Sequence, residues 1–215
     1  MFLRICVFLI ALTWIQAAVD AGLVEVFSEN VGLDAHNKGN KDYGANIWQT
    51  SLTFSGDGDV RSTDASAGYT GASGERNVFL NKEQDLVISG IDTTGFLTNS
   101  FVLDFGAFKS RIDSDMTELL VQYRNGLSGN WTSAGSIPAQ GTGSGTANYR
   151  LISMNLSFLP EVSSLSLRFL NSTTGDNNIR LDDFSLSGIS AVPEPTSLAL
   201  VGLAVGGLAL RRRRR

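Results

Sequence analysis

Cysteine and histidine are almost absent from this chain of 215 residues, and each occurs once, as Cys6 and His36. Cys6 lies in the apolar segment at the N-terminus, so the rest of the chain can hold no disulfide and no cysteine-based metal site. Its stability must come from a packed core, which a domain of about 170 residues can build. His36 stands in a polar stretch, where we expect an exposed loop histidine.

The residues that nucleophilic or zinc-assisted catalysis requires are also scarce. A Ser-His-Asp triad needs a histidine beside its nucleophile, and the sequence has no Gly-x-Ser-x-Gly motif. Glycoside hydrolysis needs two acids that face each other across a cleft. Three close pairs of aspartates occur, but nothing in the pattern places any of them across a cleft: Asp57/Asp59, Asp113/Asp115 and Asp182/Asp183. We therefore expect a protein that is not an enzyme.

Positive charge is scarce outside the two ends of the chain. Without Arg4, the five C-terminal arginines and Glu194, 17 − 6 = 11 basic and 21 − 1 = 20 acidic residues remain. The net charge then falls from −4 to −9. A body this acidic repels the phosphate backbone, so we expect no nucleic-acid partner.

The first 21 residues have the three parts of a secretory signal peptide. Arg4 supplies the basic start, Ile5–Ile15 the apolar core, and small residues follow. The sequence allows cleavage after Ala18 or after Ala21, and an uncleaved N-terminal anchor is the alternative. We expect export through the Sec translocon.

Residues 22–189 show the short polar–apolar alternation of β-strands and no convincing helical period. Leu119, Val121 and Tyr123 share one parity, and Leu165, Leu167 and Phe169 repeat the pattern. The sequence predicts an all-β domain, an antiparallel β-sandwich. Its predicted strands cover 23–27, 43–54, 77–80, 85–91, 100–108, 117–124, 130–134, 149–156, 163–170 and 179–186.

The last predicted strand changes parity in its middle. Ile179 and Leu181 lie on one face of a flat strand, but Phe184 and Leu186 lie on the other. A β-bulge at Asp182–Asp183 restores one buried face and can turn both carboxylates toward one loop. A strand buried on both faces is the alternative, and the sequence favours neither.

The C-terminal segment from residue 190 contains three physically different parts. Val192, Pro193, Glu194 and Pro195 interrupt regular structure, because the two rings fix φ and remove two backbone donors. Residues 196–210 are uncharged and apolar, which predicts a short transmembrane helix. Arg211, Arg212, Arg213, Arg214 and Arg215 favour the cytoplasmic side of a membrane. A buried core helix with a solvated basic tail is the alternative.

These three parts in this order resemble the PEP-CTERM sorting signal of Gram-negative bacteria. The resemblance implies recognition by a membrane enzyme of the exosortase type, which is thought to cut near the Pro-Glu-Pro step. It implies a protein that is exported, held briefly at the inner membrane, and then delivered to the outer membrane, the cell surface or the medium.

Residues 86–188 resemble a second group, the jelly-roll domains of galactose-binding-like and carbohydrate-binding modules. The resemblance rests on Leu86–Gly95, Leu120–Arg124 and Ile179–Gly188. It implies a structural calcium ion held by Glu25 with Asp182 or Asp183. The alternative at the two aspartates is a solvated turn that binds local amides.

Aromatic rings with polar rims are the usual sugar platforms. Trp48 and Tyr69 are the first candidates, followed by Trp131 and Tyr149. For both tryptophans a place in the core is the expected alternative. We expect a surface or matrix protein that binds extracellular polysaccharide; a secreted glycan hydrolase of low activity and a purely structural coat protein are the alternatives.

Overall fold

The computed structural model describes residues 22–31, 48–74, 76–143, 147–156 and 158–191. Within these ranges the chain forms β-strands and no helix. The strands are β1 Leu23–Glu29, β2 Thr53–Gly56, β3 Asp59–Arg61, β4 Asn77–Leu80, β5 Asp85–Ile91, β6 Val102–Lys109, β7 Leu119–Asn125, β8 Thr132–Ser136, β9 Arg150–Asn155, β10 Leu165–Asn171 and β11 Ile179–Ile189.

The strands form two antiparallel sheets. Sheet 1 has the order β3-β4-β11-β6-β9, with β1 also paired to β11, and sheet 2 has the order β2-β5-β10-β7-β8. Most neighbours are distant in sequence, so the chain crosses repeatedly between the sheets. The predicted fold class, an all-β antiparallel sandwich, is confirmed.

The core lies between the two sheets and consists of the inward-facing residue of each alternating pair. Phe105 and Phe184 of sheet 1 meet Phe169 of sheet 2, with ring centroids 5.2 and 5.1 Å from that of Phe169. All three side chains are fully buried. Such offset and edge-on ring pairs contribute about 0.5–1.5 kcal/mol beyond the burial of their area.

β11 contains the bulge that its parity change predicted. Asp182 pairs with Gly106 but Ser185 pairs with Asp104, so β11 carries one extra residue against β6. Asp183 takes a left-handed conformation with φ of 51°. Leu181 and Phe184 consequently both point into the core. The alternative, a regular strand buried on both faces, is wrong.

The bulge coincides with a change of partner along one edge of β11. Residues 179–181 pair with β4, whereas residues 184–189 pair with β1. Because β6 occupies the opposite edge, β4 and β1 must share this one. The two aspartates therefore stand where neither β4 nor β1 pairs with the strand.

One predicted strand is wrong in its described part. Residues 48–52 are not extended, and the strand begins only at Thr53. The Trp48 ring stacks on the Phe54 ring, with centroids 3.7 Å apart, so the chain turns between them. The carboxylate of Glu29 accepts the backbone N–H groups of Gln49 and Thr50 at 2.8–3.1 Å, in place of a strand neighbour.

β3 was absent from the prediction because it has three residues and one buried side chain, Val60. The predicted signal peptide over residues 1–21, the predicted transmembrane helix over residues 196–210 and His36 lie outside the described residues. The described ranges contain no helix of the length and apolarity that a membrane crossing needs.

Candidate functional site

The Asp182–Asp183 bulge holds the segment of residues 62–74, here called the 62–74 loop, against sheet 1. Both carboxylate oxygens of Asp183 accept the Ser73 backbone N–H at 3.2 Å, and the Tyr69 hydroxyl donates to the same carboxylate. Asp182 accepts the Ser73 hydroxyl at 3.3 Å and the Asp183 backbone N–H at 2.8 Å. The bulge thus turns both carboxylates toward one loop.

Burial dominates the electrostatics of this cluster. It raises the pKa of Asp182 to about 7, because a charged carboxylate is poorly solvated there, and the neighbouring charge of Asp183 acts in the same direction. Hydrogen bonds from Ser66 and Ser73 oppose the shift. Burial also raises the pKa of Tyr69, and its hydrogen bond to Asp183 adds to the effect. At neutral pH, Asp182 therefore exchanges between its charged and neutral forms.

The calcium ligand set that the resemblance implied does not assemble. Glu25 is exposed and pairs with Ser187, four residues along β11 from Asp183. The acid of β1 that lies beside the bulge is Glu29, opposite Phe184, and its carboxylate already holds two backbone amides. Among the described residues no group of three or more His, Cys, Asp or Glu side chains could hold a metal ion. A structural calcium at Asp182 and Asp183 stays a prediction.

Neither of the first two aromatic candidates is an open platform. Trp48 is buried in the core against Phe54. Tyr69 is half-buried: its hydroxyl binds Asp183, and its ring end lies over Gly106 of β6. Tyr149, the fourth candidate, is buried with its ring centroid 6.5 Å from that of Tyr69. The two tyrosines therefore attach the 62–74 loop to sheet 1.

Gly106→Ala is expected to loosen this attachment. Alanine suits a strand better than glycine, but a Cβ at this position overlaps the Tyr69 hydroxyl. The ring must move and lose its bond to Asp183, so we expect the free energy of unfolding to fall by about 1–3 kcal/mol in a denaturant titration. In a Tyr69→Ala background the same substitution should cost little. An equal loss in both backgrounds would show that Tyr69 is not the cause.

Trp131 is the remaining aromatic candidate, and it lies on sheet 2. Its ring covers two guanidinium groups: the Cζ atoms of Arg124 and Arg168 are 4.2 and 5.6 Å from the ring centroid. Arg124 belongs to β7 and Arg168 to the adjacent β10. The indole is only part-buried. The expected alternative, a tryptophan in the core, is wrong for Trp131.

The surface around Trp131 is polar and ordered by hydrogen bonds. Arg168 donates to Asp85 of β5 at 2.6 Å and to Gln122 of β7 at 3.3 Å. Strand pairing places the outward residues in rows, with Val87, Arg168 and Gln122 opposite one another. We call this side of the sheet the outer face of sheet 2; its strand residues, of which Val87, Ser89 and Ser166 are buried, are Thr53, Ser55, Asp85, Val87, Ser89, Leu120, Gln122, Arg124, Ser133, Ser136, Ser166, Arg168 and Leu170.

The aspartates of the other two carboxylate pairs form hydrogen bonds and ion pairs within the protein. Asp57 accepts the Asp85 backbone N–H at 2.8 Å, and Asp59 pairs with Arg61 at 2.8 Å. Asp113 pairs with Arg111, and Asp115 accepts the Thr117 hydroxyl at 2.6 Å. These hydrogen bonds lower the pKa of Asp113 and of Asp115. Each of these four aspartates therefore already has a hydrogen-bond or ion-pair partner within the protein.

Sequence reasoning did not single out Arg124, Arg168, Gln122 and Asp85 as a group. The alternation of polar and apolar residues shows which side chains of β7 and β10 face outward, but it does not show that these two strands pair. The sorting residues Val192–Pro195 and Arg211–Arg215 lie outside the described residues.

The C-terminal segment matches a known protein-sorting signal. Residues 191–214 match the PEP-CTERM protein-sorting motif. This match confirms the resemblance drawn from the Pro-Glu-Pro step, the apolar run and the basic end. A PEP-CTERM motif implies an exported protein that an exosortase membrane enzyme processes. It also implies membrane-associated sorting toward the cell surface.

Among curated proteins, no relative matches the sequence. Among solved structures, the K2 cleaved adhesin domain of Lys-gingipain is similar at 16% identity and a TM-score of 0.47, covering 74% of this chain and 96% of that one. TmCBM61, solved with β-1,4-galactotriose, is similar at 13% identity and 0.38, covering 64% and 88%. The CBM22-1 xylan-binding domain of Paenibacillus barcinonensis Xyn10C is similar at 12% and 0.40, covering 80% and 98%. These likenesses concern the architecture alone and assign no ligand to this chain.

Proposed function

We propose that this protein is an exported, non-enzymatic surface or matrix protein that binds extracellular polysaccharide through the outer face of sheet 2. The N-terminal segment directs it to the Sec translocon. The PEP-CTERM segment then holds it at the inner membrane until an exosortase acts. The sandwich reaches the outer membrane, the cell surface or the medium, where it binds extracellular polysaccharide.

The observation that carries the binding proposal is the position of Trp131 over Arg124 and Arg168. Guanidinium groups stacked on an indole restrict its orientation, and each such contact contributes about 0.5–1 kcal/mol at an exposed site. A rigid, part-exposed ring beside hydrogen-bonding side chains suits a sugar, which combines apolar C–H faces with a rim of hydroxyls. Gln122, Asp85 and Arg168 supply donors and acceptors next to the ring.

Trp131→Ala is expected to weaken binding at least about tenfold, or about 1.4 kcal/mol, because the platform is lost. The measurement is affinity electrophoresis of the mature protein in gels that contain the host's own extracellular polysaccharide. Phe158→Ala is the matched control, since Phe158 is also an exposed aromatic residue and lies between β9 and β10. It should retain the affinity of the unchanged protein.

Other results would favour the competing functions. Depolymerisation of the polysaccharide by the pure protein would identify a hydrolase. Correct delivery to the surface together with no retardation in the gel would indicate a structural coat protein. Equal loss of affinity in both aromatic variants would contradict the assignment to the outer face of sheet 2.

A further inference from the structure

The two arginines beneath Trp131 differ in their electrostatic partners. Arg168 is neutralised by Asp85, with its Nε atom 2.6 Å from a carboxylate oxygen. Within the described ranges, Arg124 has no carboxylate at ion-pair distance, and its buried Nε–H has no hydrogen-bond partner. Among the described residues, the guanidinium of Arg124 thus interacts with the Trp131 ring and with no carboxylate.

This arrangement is unusual for the protein as a whole. The body carries about nine more acidic than basic residues, yet the outward strand residues of sheet 2 include two arginines and one acid, Asp85. An arginine that has no carboxylate partner in an acidic domain can still bind an anion. A part-buried guanidinium also costs free energy until its N–H groups are satisfied.

We propose, on the basis of the proposed polysaccharide binding, that the outer face of sheet 2 selects an acidic polysaccharide and that Arg124 binds the carboxylate of a uronic-acid unit. A guanidinium offers two parallel N–H donors that match the two oxygens of a carboxylate. Stacking on Trp131 fixes the plane of the Arg124 guanidinium, so the arginine side chain loses little conformational entropy when it binds a ligand. The same indole provides the surface on which the sugar ring packs.

The neighbouring residues fit this assignment. Ser166 lies opposite Arg124 on β10, and its hydroxyl is already bonded to Ser89 at 2.8 Å and to the Gly126 carbonyl at 2.7 Å. Gln122 lies on the same face of β7 and binds Arg168. Neither residue supplies a negative charge, and among the described residues no carboxylate pairs with Arg124, so we assign this role to a ligand.

The test uses the mature full-length protein and two forms of one probe. The probe is the host's extracellular polysaccharide, either native or with its carboxyl groups reduced to alcohols. Binding of the native form should exceed that of the reduced form at least tenfold at low salt. The difference should shrink at high salt, because an exposed ion pair is screened.

Two variants separate charge from geometry. Arg124→Gln should weaken binding of the reduced polymer about two- to fivefold, because the stacking of Arg124 on Trp131 is lost, and should weaken binding of the native polymer at least tenfold more than that. Arg124→Lys keeps the charge but not the paired donors, so it should retain an intermediate affinity. Unfolding midpoints equal to that of the unchanged protein show that the variants are folded.

The outcomes distinguish this inference from the proposed function. Equal binding of both polymer forms, still abolished by Trp131→Ala, would overturn the acidic-ligand inference and leave polysaccharide binding intact. Binding that depends on Arg124 but is as strong for dextran sulfate as for the native polymer would also overturn it, because it would show selection for charge alone. Binding of neither form would overturn both proposals.

Discussion

Deletion of residues 193–215 is expected to abolish delivery to the cell surface while leaving export and folding intact. The sandwich strands end at Ile189, so no strand of either sheet is removed. The apolar run of residues 196–210 spans roughly 22 Å as a helix, less than the roughly 30 Å of a bilayer core. Such a segment suits temporary retention and processing. The truncated protein should accumulate in the periplasm, as cell fractionation with an antibody to the sandwich would show.

A charge series on the last five residues provides the control for this deletion. Replacing Arg211–Arg215 by five lysines keeps the positive charge on the cytoplasmic side and should preserve sorting. Replacement by five glutamates should impair it as severely as the deletion does. Normal surface delivery of the glutamate variant would mean that the basic end has no part in sorting.

Asp182→Asn is expected to stabilise the sandwich at neutral and alkaline pH. The pKa of Asp182 rises from 3.8 in the unfolded chain to about 7 in the folded one, because its carboxylate is buried. The folded state therefore binds the proton more tightly, and stability is lost as pH rises between these two values. With about 1.36 kcal/mol per pKa unit, the unchanged protein should lose about 2–3 kcal/mol between pH 5 and 8 from this group.

The asparagine variant mimics the neutral acid and should lack this pH dependence. Its carbonyl oxygen can accept the Asp183 N–H, and its amide can face the Ser73 hydroxyl, which also accepts. Urea titrations at pH 5 and pH 8 measure the difference. Asp183→Asn is the matched control: it weakens the acceptor of Tyr69 and of the Ser73 N–H, and should destabilise the protein at both pH values.

The same pair of variants tests calcium. An ion bound by Asp182 would reverse the result: Asp182→Asn would destabilise the protein in calcium, and a chelator would lower the stability of the unchanged protein. Stability that is independent of calcium and rises on Asp182→Asn would mean that the cluster holds the 62–74 loop through hydrogen bonds of the protein alone.

Much of the fold followed from local alternation. The period of two in β7 and β10 placed Val121 and Phe169 inward, and the parity change between Leu181 and Phe184 identified the bulge. These features need only the rule that successive strand residues face opposite sides. Short elements such as β3 carry too few residues for that rule to apply.

The candidate site depended on contacts that alternation does not encode. The pair Arg168–Asp85 joins residues 83 positions apart, and its formation requires the order β5-β10-β7. The pairing of β1 with β11 places Glu25 opposite Ser187 and Glu29 opposite Phe184, with a register shift between Glu25 and Phe27. A shift of one residue moves every side chain to the other face of a strand. Parity alone therefore cannot say which acid of β1 meets the bulge.

Mass spectrometry of the mature protein from its native host tests the central claim most directly, because that claim is a sandwich delivered by a removable sorting segment. We predict a mature chain that lacks the N-terminal 18 or 21 residues and ends near Pro193–Pro195. A surface-located protein that still carries Arg215 would contradict the account.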